Sequence, residues 1–83
     1  MYRGWVTTDR VRIEAVLVGR RIAEARRRAG ISQADLARRL GCHASYVGRV
    51  ETGAAVPSLP SLWRWAEALG ATRAELVGDE PIG

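Results

Sequence analysis

The chain has 83 residues, 47% of them hydrophobic, and its formal net charge of +4 comes from 13 Arg and no Lys. A chain of this length builds one small domain with one core, and none of its apolar runs approaches the roughly 20 residues that a membrane span needs. The single Cys42 and the single His43 exclude an internal disulfide and a zinc site built on Cys or His, and without a visible secretory signal the sequence favours a cytoplasmic protein.

Charge is distributed unevenly along the chain. Residues 1–50 hold eleven Arg against four acidic residues, a net charge of +7, whereas residues 51–83 have a net charge of −3. A basic half of this kind suggests a polyanionic partner. A solvated Arg-rich helix face would give the same pattern, so charge alone does not decide between the two.

The first predicted helix, helix 1, ends at Ala29, just before Gly30. Its start is open to two interpretations. Thr8 could cap a long helix that begins at Asp9, which we favour, or the alternation of apolar and charged residues over 11–15 could form a short strand. The apolar face of this helix is predicted to consist of Val18, Ile22, Ala25 and Ala29.

Four shorter helices follow, each ended by a turn signal. Helix 2 is predicted over residues 33–40, with Ser32 as N-cap and Asp35 completing a capping box. Helix 3 covers about 44–52, helix 4 follows Pro57, and helix 5 runs to residue 77 after Thr72. The residues predicted to face the core from helices 2, 4 and 5 are Leu36, Ala37, Leu40, Leu62, Trp65, Ala66, Leu69 and Leu76.

Helices 2 and 3 are separated by only three residues, 41–43. A short turn that contains a glycine is what a helix-turn-helix requires. At about 100° per residue, Val47 and Val50 define the buried side of helix 3. Ser45, Gly48 and Arg49 point away from that side, and such a face suits the major groove of DNA, where an Arg can donate two hydrogen bonds to guanine.

The same segment carries the pattern S-Q-x-x-L-A, then G, an aliphatic residue and E-x-G, at Ser32, Gln33, Leu36, Ala37, Gly41, Val50, Glu51 and Gly53. With this pattern it resembles the lambda-repressor-like DNA-binding domains of the Cro/cI or xenobiotic-response-element type. The resemblance covers roughly residues 18–77 and implies an all-α, five-helix bundle, generally a homodimer, that binds palindromic operators and regulates transcription. A weaker resemblance, based on His43, Tyr46 and the chain's size, is to the small controller proteins of restriction-modification systems.

This resemblance gives an expected layout. Residues 17–78 form the helix-turn-helix DNA-binding domain, residues 1–16 form an N-terminal arm or an extension of helix 1, and residues 79–83 form a flexible tail. In the DNA-binding domain, Arg49, Ser45 and Ala44 are the candidate base-reading residues, although Ala44 can offer only a contact with a thymine methyl group.

Three further residues are candidates for phosphate contacts. Gln33 lies in the first turn of helix 2, where backbone N–H groups point outward. Tyr46 either bonds a phosphate or packs beside Val50. His43 either bonds a phosphate or serves only as a polar turn residue or helix cap.

Two residue contacts are expected within the fold and its assembly. Glu51 falls near the buried valines of helix 3, and the resemblance implies that Arg26 pairs with it. The alternatives are a pair with Arg27 or Arg28, or a Glu51 that points to solvent.

Trp63 lies off the inward stripe of helix 4 and is predicted to enter a dimer interface. The alternative is a monomer in which Trp63 packs over helix 1 or helix 5. Trp5, Val6 and Val16 could add to the interface.

The sequence supports two other classes of function to different degrees. The first is an antitoxin or another protein-interaction module that binds its partner through residues 1–16. The second is an enzyme, which is not expected because no catalytic constellation, phosphate loop or carboxylate pair at a useful spacing is present. No cofactor is expected either.

Overall fold

The computed structural model describes the backbone of residues 4–78 and the side chains of residues 12–78. The secondary structure of this part of the chain consists of helices joined by turns, without a strand, and the predicted five-helix, all-α architecture is confirmed. The tail expected over 79–83 and the side chains of Trp5 and Val6 lie outside the described residues. The five helices are α1 (Gly4–Arg28), α2 (Gln33–Leu40), α3 (Ala44–Glu51), α4 (Leu59–Leu69) and α5 (Arg73–Val77).

The first helix is longer than the sequence predicted. It begins at Gly4 instead of Asp9, so the residues that might have formed a strand are helical. Its 25 residues correspond to about 37 Å of helix. It ends at Arg28, and Gly30 adopts a left-handed conformation with φ of 72°. The prediction that Ala29 faces the core is therefore wrong, because Ala29 lies in the turn beyond the helix and is exposed.

The ends of α2 are fixed by local hydrogen bonds. The Ser32 hydroxyl accepts from the backbone N–H of Asp35 at 3.0 Å, and Asp35 Oδ2 accepts from the backbone N–H of Ser32 at 3.0 Å. The hydrogen bond from the Ser32 backbone N–H, and next the nearby Ser32 side chain, lower the pKa of the Asp35 carboxyl below its usual value. At the other end, Gly41 takes the left-handed conformation with φ of 75°. Both ends of α2 are thus fixed by bonds between near neighbours in the chain.

One core joins all five helices. The predicted inward residues of α4 are all buried, as is Leu76 of α5. No helix in the described part of the chain is long and apolar enough to cross a membrane. The side chains with almost no solvent exposure are Ile22, Leu36, Val47, Val50 and Leu76.

The middle of α1 lies directly against the end of α3. A Cβ at Gly19 would stand 2.3 Å from the carbonyl oxygen of Val50 and 2.7 Å from that of Glu51. Just beyond α3, Gly53 has φ of 84°, and a Cβ there would stand 3.0 Å from Cα of Val16. Two glycines therefore allow this close approach, and α1 holds α3 in place through backbone contact.

Candidate nucleic-acid interface

The turn between α2 and α3 is short and well bonded. The backbone N–H of Cys42 donates to the carbonyl oxygen of Ala37 at 3.0 Å. His43 precedes α3 in an extended conformation, but its side chain makes no capping hydrogen bond. Ala37 is buried between the two helices, where its small side chain lets them pack closely. The turn and the packing of Ala37 thus fix how α3 follows α2.

One face of α3 is free of packing. Val47 and Val50 are buried, whereas Ala44, Ser45 and Arg49 are exposed. Both valines, Ser45 and Arg49 thus lie on the sides that the helical spacing indicated, whereas Gly48, expected on the outward face, is half-buried. Among the described residues, the Arg49 side chain takes part in no ion pair. Its guanidinium can therefore donate to an external acceptor.

The side chain of Gln33 lies across α3. Its Nε2 donates to Glu51 Oε1 at 3.0 Å. Gly48 lies beneath this amide, since a Cβ at Gly48 would stand 3.7 Å from both Nε2 and Oε1. Gln33 therefore ties the start of α2 to the end of α3, which the sequence did not indicate. The bond to Glu51 uses one amide donor and leaves a second donor and the amide oxygen.

An ion pair joins the end of α1 to the end of α3. Arg26 Nε donates to Glu51 Oε2 at 2.6 Å, and Arg26 Nη2 donates to Glu51 Oε1 at 3.3 Å. Arg26 Nη1 also donates to the carbonyl oxygen of Ile31 at 2.9 Å. The side chains are 14% and 7% exposed, whereas Arg27 and Arg28 point to solvent. The hydrogen bond to Glu51 raises the pKa of the Arg26 guanidinium, so the arginine side chain stays charged.

The other two candidate phosphate ligands differ in their surroundings. Tyr46 is half-buried and packs edge-to-face on Trp65, with ring centroids 6.1 Å apart and an interplanar angle of 69°. Its packing partner is thus Trp65 of α4, not only its neighbour Val50. His43 is exposed in the turn. The ring of Tyr46 is held in place, whereas that of His43 is open to solvent.

Trp63 is less exposed than its position off the core stripe suggested. It is half-buried against the core, and the guanidinium of Arg73 lies over its ring at 4.6 Å from the centroid. Part of its surface is therefore covered from α5, as the monomer alternative foresaw. Among the described residues, the large apolar side chains that are exposed lie elsewhere, at Ile13, Val16, Leu17, Val56 and Leu59.

Two arginines act as links between helices, a role that the sequence did not indicate. Arg39 Nη1 donates to the carbonyl oxygen of Ala68 at 2.8 Å, and Arg64 Nη2 donates to that of Leu40 at 3.4 Å. Arg38 pairs with Asp35 on the exposed side of α2. The guanidinium groups of Arg38, Arg39 and Arg64 are therefore already bonded to other residues of the protein. Arg49 of α3, in contrast, is exposed and makes no ion pair with the described residues.

The chain is similar to known proteins both in sequence and in fold. A family model described as a helix-turn-helix domain matches residues 17–77. An uncharacterized HTH-type transcriptional regulator of Sinorhizobium fredii, y4dJ, is 36% identical over 61 residues, which are 74% of this chain and 79% of that protein. The crystal structure of the restriction-modification controller protein C.AhdI from Aeromonas hydrophila superposes with a TM-score of 0.72 at 39% identity, over 77% of this chain and 93% of that one.

Proposed function

The chain belongs to the helix-turn-helix domain family of DNA-binding transcriptional regulators, and on that premise we propose that it is a sequence-specific regulator that binds a palindromic operator as a homodimer. The observation that carries the proposal is the exposed face of α3, where Ala44, Ser45 and Arg49 have no packing role. Residues 17–78 are the DNA-binding domain in this proposal, and residues 4–16 extend α1 beyond it. The regulator acts in the cytoplasm and needs no cofactor.

In this proposal α3 enters the major groove. Arg49 donates two hydrogen bonds to a guanine, Ser45 bonds a base edge, and Ala44 contacts a thymine methyl group. The backbone contact between Gly19 of α1 and the end of α3 supports such a role, because a recognition helix must be held rigidly to read bases.

Phosphate contacts would fix the position of α3 in the groove. Gln33, His43 and Tyr46 are the proposed ligands. Gln33 is held by Glu51, so the donor left on its amide is fixed in direction. The ring of Tyr46 is likewise held by Trp65. These two residues are therefore preorganised, and His43 would adjust to the backbone from the turn.

A two-fold dimer would place the two copies of α3 about 34 Å apart, one turn of DNA. Trp63 remains a proposed interface residue. It shares a face of α4 with the exposed Leu59, four residues earlier. Arg73 already covers part of its ring, however, so this face offers less apolar surface than the sequence suggested.

A second candidate function is a protein-interaction module such as an antitoxin. The observation that favours it is the exposed apolar surface of α1 outside the family match. Salt separates the two functions, because the affinity for DNA falls log-linearly with salt concentration. A protein-binding module would leave the basic face without measurable DNA affinity.

The Arg49→Ala variant tests the role of α3. We expect a loss of about 1–3 kcal/mol in binding to the operator, with relaxed preference at one base position, because one bidentate base contact disappears. Fluorescence anisotropy on the operator and on its single-base variants measures both effects.

Gln33→Ala is the matched control for Arg49→Ala. It should weaken binding to operator and random duplexes by a similar factor, since a phosphate ligand carries no base information. If Arg49→Ala also reduces the two affinities equally, Arg49 contacts only the DNA backbone and the proposed reading of bases by this residue is wrong.

A further inference from the structure

A small pocket lies where the turn between α2 and α3 meets α4. Gly41 and Cys42 line it from the turn, and Tyr46 lines it from α3. Ser61 and Arg64 line it from α4. Its volume is about 240 Å³, which is below the roughly 300–1,000 Å³ of sites for drug-sized ligands. The pocket therefore suits a molecule smaller than a typical drug.

Positive charge and hydrogen-bond donors line part of this pocket. Arg64 is the one charged residue among the described residues that line it. Its Nη2 donates to the carbonyl oxygen of Leu40 at 3.4 Å, which uses only one of the guanidinium donors. The Ser61 hydroxyl accepts from the Ser58 hydroxyl at 3.1 Å, so its own proton is left for another acceptor. An anion is therefore favoured, and the two oxygens of a carboxylate match the planar guanidinium.

Aromatic and apolar side chains form much of the remaining lining. Tyr46 and Trp65 both line the pocket, and their rings pack edge-to-face with centroids 6.1 Å apart. Leu40 and the half-buried, free Cys42 add further apolar surface. A flat apolar body can pack beside such rings, whereas a very small anion leaves this surface in contact with water. The lining thus combines a site for a carboxylate with a site for a ring.

We propose that this pocket binds a small aromatic carboxylate, and that the bound molecule weakens the binding of operator DNA. Its carboxylate bonds Arg64 and Ser61, and its ring packs beside Tyr46 and Trp65. Because Tyr46 is a proposed phosphate ligand, the carboxylate brings a negative charge close to the DNA backbone, and like charges repel. Binding of the carboxylate is independent of the proposed function, whereas its effect on DNA rests on that function.

Titration of the full chain with sodium benzoate, followed by NMR of its ¹⁵N-labelled amides, tests the site. We expect a dissociation constant of about 1 mM or lower, which a ligand of this size can reach. The signals of the Cys42 and Ser61 amides and of the Trp65 indole N–H should shift. Benzamide has the ring without the charge, and sodium acetate has the charge without the ring. Each should therefore bind at least about tenfold more weakly than benzoate.

Arg64→Gln tests the proposed anion ligand, and Arg39→Gln is its matched control. Both arginines are exposed and both link α2 to α4 through a backbone carbonyl, that of Ala68 in the case of Arg39. Arg39 is not among the residues that line the pocket. Arg64→Gln should raise the benzoate dissociation constant at least about tenfold, whereas Arg39→Gln should leave it within about twofold. Circular dichroism melting checks that both variants fold.

Fluorescence anisotropy on the operator duplex tests the effect on DNA. Sodium benzoate at about 10 mM should lower the operator affinity of the wild type about fivefold, at the low end of typical coupling between two sites. Sodium acetate at the same concentration controls for ionic strength, on which DNA binding depends. Arg64→Gln should bind the operator as Arg39→Gln does, but should not respond to benzoate.

Four results would overturn the benzoate site. They are the lack of binding at about 10 mM benzoate, shifts confined to residues outside the pocket, benzamide binding as tight as that of benzoate, and equal benzoate affinity in Arg64→Gln and Arg39→Gln. A lower operator affinity in Arg64→Gln than in Arg39→Gln, measured without benzoate, would also overturn it, because a DNA phosphate would then occupy the pocket.

The effect on DNA fails separately. Benzoate binding that leaves operator affinity unchanged refutes the regulatory effect. A wild type that binds benzoate but no duplex refutes the proposed function and supports the benzoate site.

Discussion

Glu51→Ala is expected to lower the free energy of unfolding by about 3–5 kcal/mol, because it leaves a largely buried guanidinium without its counter-charge. The carboxylate of Glu51 receives two hydrogen bonds from Arg26 and one from Gln33. The substitution therefore removes the side-chain hydrogen bonds that join the end of α3 to Arg26 of α1 and to Gln33 of α2. Urea-induced unfolding followed by circular dichroism measures the change.

The exposed pair between Arg38 and Asp35 is the matched control for Glu51. Arg38→Ala removes an ion pair that is open to solvent, so we expect a change below about 1 kcal/mol. Arg26→Ala together with Glu51→Ala should be less destabilising than the sum of the two single changes, since neither charge is then left alone. If Glu51→Ala alters stability no more than Arg38→Ala does, the pair contributes nothing as a buried interaction.

Gly19→Ala is expected to destabilise the fold by about 3 kcal/mol, near the upper end of what overpacking costs. The added Cβ would stand 2.3 Å from the carbonyl oxygen of Val50, a backbone atom that cannot rotate away. The helix α1 must then move away from the end of α3. Operator affinity should fall as well, because the exposed face of α3 would shift.

Gly48→Ala is the comparison for this prediction. It makes the same change within α3, but the nearest atoms, on the side chain of Gln33, are 3.7 Å from the added Cβ. Helix propensity favours Ala by about 1 kcal/mol, so this variant should be as stable as the wild type or more stable. The melting temperatures of Gly19→Ala and Gly48→Ala, each compared with that of the wild type, test both expectations. Equal melting temperatures would mean that α1 and α3 are not in backbone contact at Gly19.

Local patterns allowed most of the fold to be predicted from the sequence. The capping box of Ser32 and Asp35 and the glycine at residue 41 fix the ends of α2 through bonds between near neighbours. The start of α1 was less certain, since alternating apolar and charged residues fit both a strand and a helix. Residues 12–14 are exposed, and exposed residues do not show the periodicity of a packed helix.

Long-range contacts could not be predicted in the same way. The spacing along α3 gave its buried and exposed faces, but not that Gln33 lies across Gly48 to reach Glu51. The stacking of Arg73 on Trp63 likewise depends on how α5 packs against α4. Such contacts join residues from different helices, and no local rule specifies them.

Selection of bound duplexes from a random DNA library tests the central claim most directly. The account predicts a palindrome whose half-site centres lie about 10 base pairs apart, bound about 10³-fold or more tightly than random DNA. It also predicts that the affinity falls log-linearly with salt concentration, and that Arg49→Ala loses the preference at one position in each half-site. Recovery of no common sequence, together with equal affinity for all duplexes, would contradict the claim that α3 reads DNA.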